Sequence, residues 1–223
     1  MAENDNKDDV KKSRKLPVPK PCLDVNFTTW PAGRPFHRIH SKKFRATEFN
    51  LGKGNARFSP MSNGIATLYG AESCAVAVME TFFHDLPTSS QGAPFDLANL
   101  DGLVHSIIKA KTDLYLADLN PRTLRKMGVS RADLLDSSAD HYIFTREYSL
   151  AIHRQYPDAH GLMWSSKQHG GTAMMLFGDR ILVRHLQAEI ESASVAQSEK
   201  VIETIEVLAD ELGLVLLPSG GGY

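Results

Sequence analysis

Residues 65–83 read IATLYGAESCAVAVMETFF, an apolar run followed by a segment with helical periodicity. The run predicts a short strand over Ile65–Tyr69, and Ser73 is a suitable N-cap for the helix that follows. The apolar positions of this helix recur at the spacing of one face: Ala75, Val78, Met79 and Phe82. Glu80 lies about 100° around the helix from Met79. The sequence therefore places a carboxylate at the edge of an apolar helix face, half in and half out of the core.

Strands and helices alternate along the rest of the chain. Further strands are predicted at Phe36–His40, Val104–Lys111, Leu114–Leu119, Leu162–Trp164, Ala173–Phe177, Ile181–His185 and Leu214–Leu217, the last of them buried. Helices are predicted at Pro121–Met127, Arg131–Leu135, Thr145–Tyr156 and in a final apolar stripe from Val201 to Leu212 that Gly213 closes. This order predicts a mixed α+β fold.

Length and composition favour one compact domain. The chain has 223 residues, of which 42% are hydrophobic, enough for a sizeable core without disulfides. Residues 1–20 contain no aromatic residue, six basic and four acidic ones, so we predict a disordered N-terminal arm before a single domain over 21–223. The motifs described below occupy about 34–182 of that domain, and a C-terminal helix and strand occupy 194–217.

Charge and cysteine content exclude several classes of protein. Lys plus Arg number 25 and Asp plus Glu number 26, a balance that argues against direct nucleic-acid binding. The two cysteines, Cys22 and Cys74, are too few for a disulfide framework and favour a reducing, cytoplasmic location. No apolar run reaches the roughly 20 residues that a spanning helix needs, so no membrane association is expected.

Common catalytic motifs are absent from the sequence. Gly52-Lys53-Gly54 lacks the third glycine of a dinucleotide fingerprint, and His37 and His40 have no Cys or carboxylate cluster that would complete a metal site. Ser165 and Ser166 lie close to His169-Gly170-Gly171, which raises the alternative of a serine hydrolase with an oxyanion loop. No G-x-S-x-G elbow accompanies them, which argues against that reading.

The remaining polar and aromatic residues suit a different chemistry. They are Arg38, Arg57, Tyr69, Glu80, Trp164, Ser165 and Ser166. Two arginines can hold a pyrophosphate, an aromatic ring can stack on a heterocycle, and one carboxylate can stabilise an oxocarbenium-like centre. Together these groups would serve to break the nicotinamide–ribose bond of NAD. Each also has an ordinary structural explanation, as a surface ion pair, a half-buried ring or a loop hydroxyl.

The order of these residues resembles the RES domain family, which is named for its Arg, Glu and Ser. The early motifs stand here as Phe36-His37-Arg38, Asn55-Ala56-Arg57-Phe58, Leu68-Tyr69 and Ala77-Val78-Met79-Glu80. The late motifs stand as Gly161-Leu162-Met163-Trp164-Ser165-Ser166, then Gly170-Gly171 and Ala173-Met174-Met175-Leu176-Phe177. Asn55 replaces the family's usual glycine, and Trp164 stands where the family commonly has tyrosine. Ser166 aligns with the family's serine better than Ser165 does.

The resemblance implies a fold, an activity and a partner. The fold would be that of the diphtheria-toxin-like ADP-ribosyltransferases, a split β-sheet core surrounded by helices. The activity would be NAD degradation by a toxin of a toxin–antitoxin pair, with water or inorganic phosphate as the acceptor and no metal. The partner would be an antitoxin with an Xre-like DNA-binding domain.

The same resemblance implies site roles. Glu80, Arg38 and Ser166 would be catalytic, and Arg38, Arg57, Tyr69, Trp164 and Ser165 would bind NAD. The alternatives are transfer of ADP-ribose to a protein target and a non-catalytic binding module.

Overall fold

The computed structural model describes residues 17–62, 64–86 and 91–218. Within these ranges the strands are β1 Phe27–Trp30, β2 Pro35–Ser41, β3 Thr67–Ala71, β4 Pro94–Asp96, β5 Leu103–Ala110, β6 Leu114–Asp118, β7 Gly161–Ser165, β8 Thr172–Phe177, β9 Leu186–Ser194 and β10 Val215–Leu217. The α-helices are α1 Cys74–Val78, α2 Pro121–Met127, α3 Arg131–Leu134, α4 Tyr142–Gln155 and α5 Glu199–Glu211. The chain thus has the predicted mixed α+β architecture.

Eight of the described strands form one sheet in the order β1-β6-β7-β8-β3-β2-β5-β9. Neighbouring strands run antiparallel, except β6 and β7, which are parallel. The pairing between β3 and β2 is the shortest in the sheet, because His37 and Ala71 form the one residue pair described between these strands. By contrast, β2 pairs with β5 along its whole length, from Pro35 to Ser41. The sheet therefore consists of two halves that diverge beyond a single point of contact.

Helix α1 lies over this divergence. Ser73 caps it as predicted, with its Oγ accepting a hydrogen bond from the Val76 N–H at 3.2 Å. The helix continues into a wider, π-helical turn over Met79–Phe83. Turns of this kind inside helices are frequent at functional sites. The buried face of α1 and its extension packs on the apolar stripe of α5, which includes Val201 and Ile205.

The polypeptide preceding β1 packs against α4. The Tyr148 hydroxyl donates to the carbonyl of Pro17 at 3.1 Å, and the amide group of Gln155 donates to the carbonyl of Pro21 at 2.7 Å. Pro17, which the sequence assigns to a disordered arm, therefore accepts a hydrogen bond from α4. Residues 1–16 of that predicted arm lie outside the described residues.

Five elements differ from the sequence prediction, and two of them, β1 and β4, are strands that were not predicted. The strand expected at Ile181–His185 is wrong, because Val183–His185 form a single 3₁₀ turn and the strand β9 begins at Leu186. β9 was not predicted although its apolar residues Leu186, Ala188 and Ile190 alternate with polar ones. It is an edge strand on which only Leu186 is buried. β10 lies within the strand predicted at Leu214–Leu217 but is not buried as expected, because 49% of Val215 is exposed and the strand pairs with β4 at the surface.

None of the helices in the described part of the chain is long and apolar enough to span a membrane.

Candidate active site

A half-open cavity of about 290 Å³ lies where β2 and β3 diverge, beneath α1. Its lining comes from both halves of the sheet and from the helix that covers the gap. Five of the residues singled out from the sequence line it: Arg38, Arg57, Tyr69, Glu80 and Trp164. These residues are separated by up to 126 positions in the chain (from Arg38 to Trp164), so the fold, and not local sequence, brings them together.

Glu80 is the carboxylate of this cavity. It lies on the π-helical turn that extends α1, and its side chain is partly buried. No described residue makes a hydrogen bond or an ion pair with its oxygens, whereas the neighbouring Thr81 hydroxyl donates to the Ala77 carbonyl at 2.7 Å. The Glu80 charge is therefore uncompensated and is available to a positive group within the cavity.

Arg57 brings a positive charge to the same cavity. Its side chain is 7% exposed, and Nη1 donates to the carbonyl of Ser137 at 3.0 Å and to its Oγ at 3.3 Å. The guanidinium carbon lies 5.3 Å from the centroid of the Tyr142 ring, within the range of a cation–π contact. No carboxylate among the described residues pairs with it. A buried guanidinium without a counter-ion favours an anionic ligand.

The Tyr142 phenol lies within the fields of both charges. Burial is the main cause that raises its pKa, and Glu80 and Asp85 raise it further. Arg57 and Arg146 act in the opposite direction. Glu80 and Arg57 are therefore close enough to the same hydroxyl to influence its ionisation.

Arg38 is more constrained than the sequence suggests. Its Nη1 donates to the carbonyls of Arg45, Ala46 and Glu48, so the side chain fastens the loop that follows β2. Burial lowers its pKa to about 10, with Glu48 and Glu191 opposing the shift, and the group remains charged at neutral pH. No described residue accepts a hydrogen bond from Nη2 or Nε. Part of the guanidinium is thus committed to the fold and part is left for a ligand.

Two aromatic side chains form one wall. The Tyr69 hydroxyl is buried, accepts hydrogen bonds from the Phe58 N–H and the Ser59 Oγ, each at 3.2 Å, and has its pKa raised by burial to about 12. The Tyr69 ring, in contrast, borders the cavity. Trp164 packs edge-to-face against Phe58 and Tyr69, with ring centroids 5.1 Å and 6.2 Å apart. Trp164 is only 4% exposed, so these contacts hold both rings in place beside the cavity.

The two predicted serines do not line the cavity. Ser165 is exposed, and its Oγ donates to the carbonyl of Gly170 at 2.8 Å. Ser166 is 1% exposed, and its Oγ has no hydrogen-bond partner among the described residues. Its backbone N–H donates to the carbonyl of Gly171 at 2.8 Å, just beyond the end of β7. A direct role for either serine stays a prediction that this geometry does not support.

The serine-hydrolase alternative also lacks its geometry. The Nδ1 of His169 accepts a hydrogen bond from the Gly171 N–H at 3.3 Å and has no contact with the hydroxyl of Ser165 or Ser166. A nucleophile needs a base within hydrogen-bond reach. In the described residues, no group of three or more His, Cys, Asp or Glu side chains is arranged to hold a metal ion.

Among the other residues that line the cavity, three are titratable and were not assigned to it from the sequence: His37, His84 and Tyr142. His37 precedes Arg38 in β2, and neighbouring side chains of a strand point to opposite faces of the sheet, so the assignment of Arg38 to the site argued against His37. No local pattern indicates that both residues border the cavity. Tyr142 begins α4, and nothing in its sequence context indicates where α4 packs.

Comparisons with known proteins identify a family and a fold. The RES domain family model matches residues 35–195. The fold is similar to a chain in the crystal structure of the M. tuberculosis MbcT–MbcA toxin–antitoxin complex, with a TM-score of 0.55 and 16% sequence identity over 84% of this chain and 91% of that one. A comparison with curated proteins finds no match.

Proposed function

The chain belongs to the RES domain family, and from this membership we propose that it is a toxin-like enzyme that binds NAD and cleaves its nicotinamide–ribose bond. The observation that carries the proposal is the cavity between the two halves of the sheet. It combines the unpaired carboxylate of Glu80, the uncompensated guanidinium of Arg57 and an aromatic wall. NAD offers a matching group for each: a ribosyl centre that becomes cationic, a pyrophosphate and a flat nicotinamide ring.

One carboxylate suffices for this reaction. The nicotinamide of NAD is a pyridinium, so it leaves as a neutral molecule when the bond electrons move to its ring nitrogen. No general acid is needed at the leaving atom, in contrast to ordinary glycosides, which require a pair of carboxyl groups. Glu80 would stabilise the ribosyl cation as it forms.

The other cavity residues would bind and orient the dinucleotide. Arg57, with the unoccupied edge of Arg38, would hold the pyrophosphate through charge-assisted hydrogen bonds. Tyr69 and Trp164 would enclose the nicotinamide ring. The open side of the cavity would leave the adenosine half of the substrate nearer to solvent.

Divergence of β2 and β3 supports the finer description of the fold. A sheet that separates into two halves around a ligand cleft is what a diphtheria-toxin-like ADP-ribosyltransferase core requires. In this chain the halves meet at the His37–Ala71 pair, and the cavity begins beside that pair. We assign the core to that class on this basis.

A cognate antitoxin is the partner that fits this role. The structurally similar protein was crystallised in a toxin–antitoxin complex. An antitoxin for this chain, with an Xre-like DNA-binding domain, would have to cover the open side of the cavity. An enzyme that depletes the cellular NAD pool would act in the cytoplasm.

The direct test is a product assay on the purified protein. NAD would be incubated with the protein in phosphate-free buffer and with inorganic phosphate, and the products identified by mass spectrometry. We expect free nicotinamide in both cases, with ADP-ribose formed from water and a phosphorylated ADP-ribose formed when phosphate is the acceptor. A protein-bound ADP-ribose adduct would indicate transfer to a protein target instead. Intact NAD after prolonged incubation with excess protein would refute the proposal.

A further inference from the structure

Two histidines on neighbouring strands form a hydrogen-bonded pair beside the cavity. His37 of β2 lines the cavity, and its Nδ1 lies 2.9 Å from the Nε2 of His105 on β5. The two rings stack with centroids 5.2 Å apart and an interplanar angle of 18°. His105 is 5% exposed and does not line the cavity. A ligand in the cavity can therefore reach His37, whereas His105 lies outside the cavity and orients the His37 ring.

Both imidazoles are neutral at physiological pH. Burial lowers the pKa of His37, and the nearby Lys200 of α5 lowers it further. Burial also lowers the pKa of His105 to about 4, with smaller contributions from His37, Lys200 and His40. The other titratable groups that line the cavity are Arg38, Arg57, Tyr69, Glu80, His84 and Tyr142. A neutral imidazole can accept a proton, which an imidazolium cannot.

One nitrogen of His37 is left for chemistry. Nδ1 is occupied by His105, and no described residue makes a hydrogen bond with Nε2. When Nδ1–H donates to the Nε2 of His105, the Nε2 of His37 carries a lone pair. A partner that orients an imidazole and fixes its tautomer is the usual support for a general base.

The proposed reaction has a proton that still needs an acceptor. Water or an alcohol that attacks the ribosyl carbon forms a C–O bond with its oxygen lone pair, and its O–H proton must then leave. Glu80 is required as an anion beside the cation, so a second group is needed to take this proton. A phosphate dianion, by contrast, attacks through an oxygen that carries no proton.

Resting on the proposed function, we propose that His37 is a catalytic residue whose Nε2 takes the proton of an attacking hydroxyl, and that His105 is its positioning residue. The nicotinamide–ribose bond breaks with its electrons going to nicotinamide, the new C–O bond forms, and the proton moves from oxygen to His37. Both ring nitrogens of His37 then carry a proton, and the charge is released to solvent when product leaves.

The test compares acceptors in matched variants. His37→Gln keeps a hydrogen-bonding amide near the position of Nε2 but cannot take a proton. We expect kcat for hydrolysis to fall by about 10²-fold with little change in KM, the lower range for loss of a general base, whereas turnover supported by phosphate dianion falls far less. His40→Gln is the control, because His40 lies on the same strand, is also buried and is bonded to the Ser106 hydroxyl away from the cavity.

A second measurement determines which nitrogen of His37 carries the proton. Long-range ¹H–¹⁵N NMR of the unmodified protein should show a protonated Nδ1 and an unprotonated Nε2. His105→Gln should weaken this preference and lower the rate of hydrolysis to an intermediate extent. Three results would overturn the inference while NAD cleavage stands. The first is a proton on Nε2 of His37, and the second is unchanged hydrolysis by His37→Gln. The third is an unmodified enzyme that uses phosphate but not water. An unmodified protein that leaves NAD intact would instead overturn the proposed function.

Discussion

Replacing Glu80 with glutamine removes one negative charge from the cavity and little else. The side chains are isosteric, and no described residue makes a hydrogen bond or ion pair with the Glu80 carboxylate. The residue is partly buried at the edge of the helix face. We therefore expect the free energy of unfolding to change by no more than about 0.5 kcal/mol, as for substitutions that break no specific interaction.

The effect on catalysis follows from Coulomb's law. A unit negative charge about 4 Å from a unit positive charge contributes about 4 kcal/mol at an effective dielectric constant of about 20 and about 1 kcal/mol in water. Because Glu80 is only partly buried, a value between these limits, about 2–3 kcal/mol, applies to its interaction with the ribosyl cation. That range corresponds to a roughly 10²-fold loss of kcat.

Nicotinamide release measured by chromatography at saturating NAD provides the assay. The control is Glu203→Gln, which removes the same charge from an exposed position on α5 that does not line the cavity. We expect NAD binding by Glu80→Gln to change much less than its kcat, since the carboxylate acts on a charge that develops only in the transition state. A Glu80→Gln protein with the activity of the Glu203→Gln control would refute the assignment.

Three further predictions concern the surroundings of the cavity. Tyr69→Phe leaves the Phe58 N–H without its acceptor, so we expect urea denaturation to show a loss of about 1–3 kcal/mol, while NAD affinity, which depends on the ring, is retained. Ser166→Ala removes a buried hydroxyl that has no partner among the described residues. We therefore expect its thermal stability to stay the same or rise and its NAD turnover to persist. A loss of turnover as large as that of Glu80→Gln would place Ser166 in the reaction. His40 and His105 have pKa values lowered to about 4 by burial, whereas unfolded histidine titrates near about 6.5. The unfolded chain therefore takes up more protons as pH falls from about 6.5 towards 4, and the urea midpoint should decline across that window; a flat profile would contradict these burial shifts.

Local features of the chain were predictable where short-range interactions determine them. Ser73 caps α1 as expected, and the helix places Glu80 at the edge of its apolar face because that position depends only on helical spacing. The helix predicted at Pro121–Met127 ends as expected, because Gly128 adopts a left-handed conformation with φ of 76° at the end of α2. Capping and periodicity act over a few residues, so the sequence reveals them.

Long-range pairing was not predictable in the same way. The divergence of β2 and β3 depends on which residues of two distant segments pair, and no local pattern records that the pairing stops at His37 and Ala71. The edge strand β9 was missed although Leu186, Ala188 and Ile190 alternate with polar residues, because so short an alternation does not show that the segment pairs with β5. Ser166 lies two residues beyond Trp164 in the sequence, yet only Trp164 borders the cavity, because β7 ends between them.

A crystal structure of Glu80→Gln soaked with NAD tests the central claim most directly, because this variant should bind the substrate and turn it over slowly. We expect intact NAD between the two halves of the sheet, with nicotinamide against Tyr69 and Trp164 and the pyrophosphate at Arg57. A cavity that stays empty at saturating NAD, or NAD bound elsewhere on the protein, would contradict it.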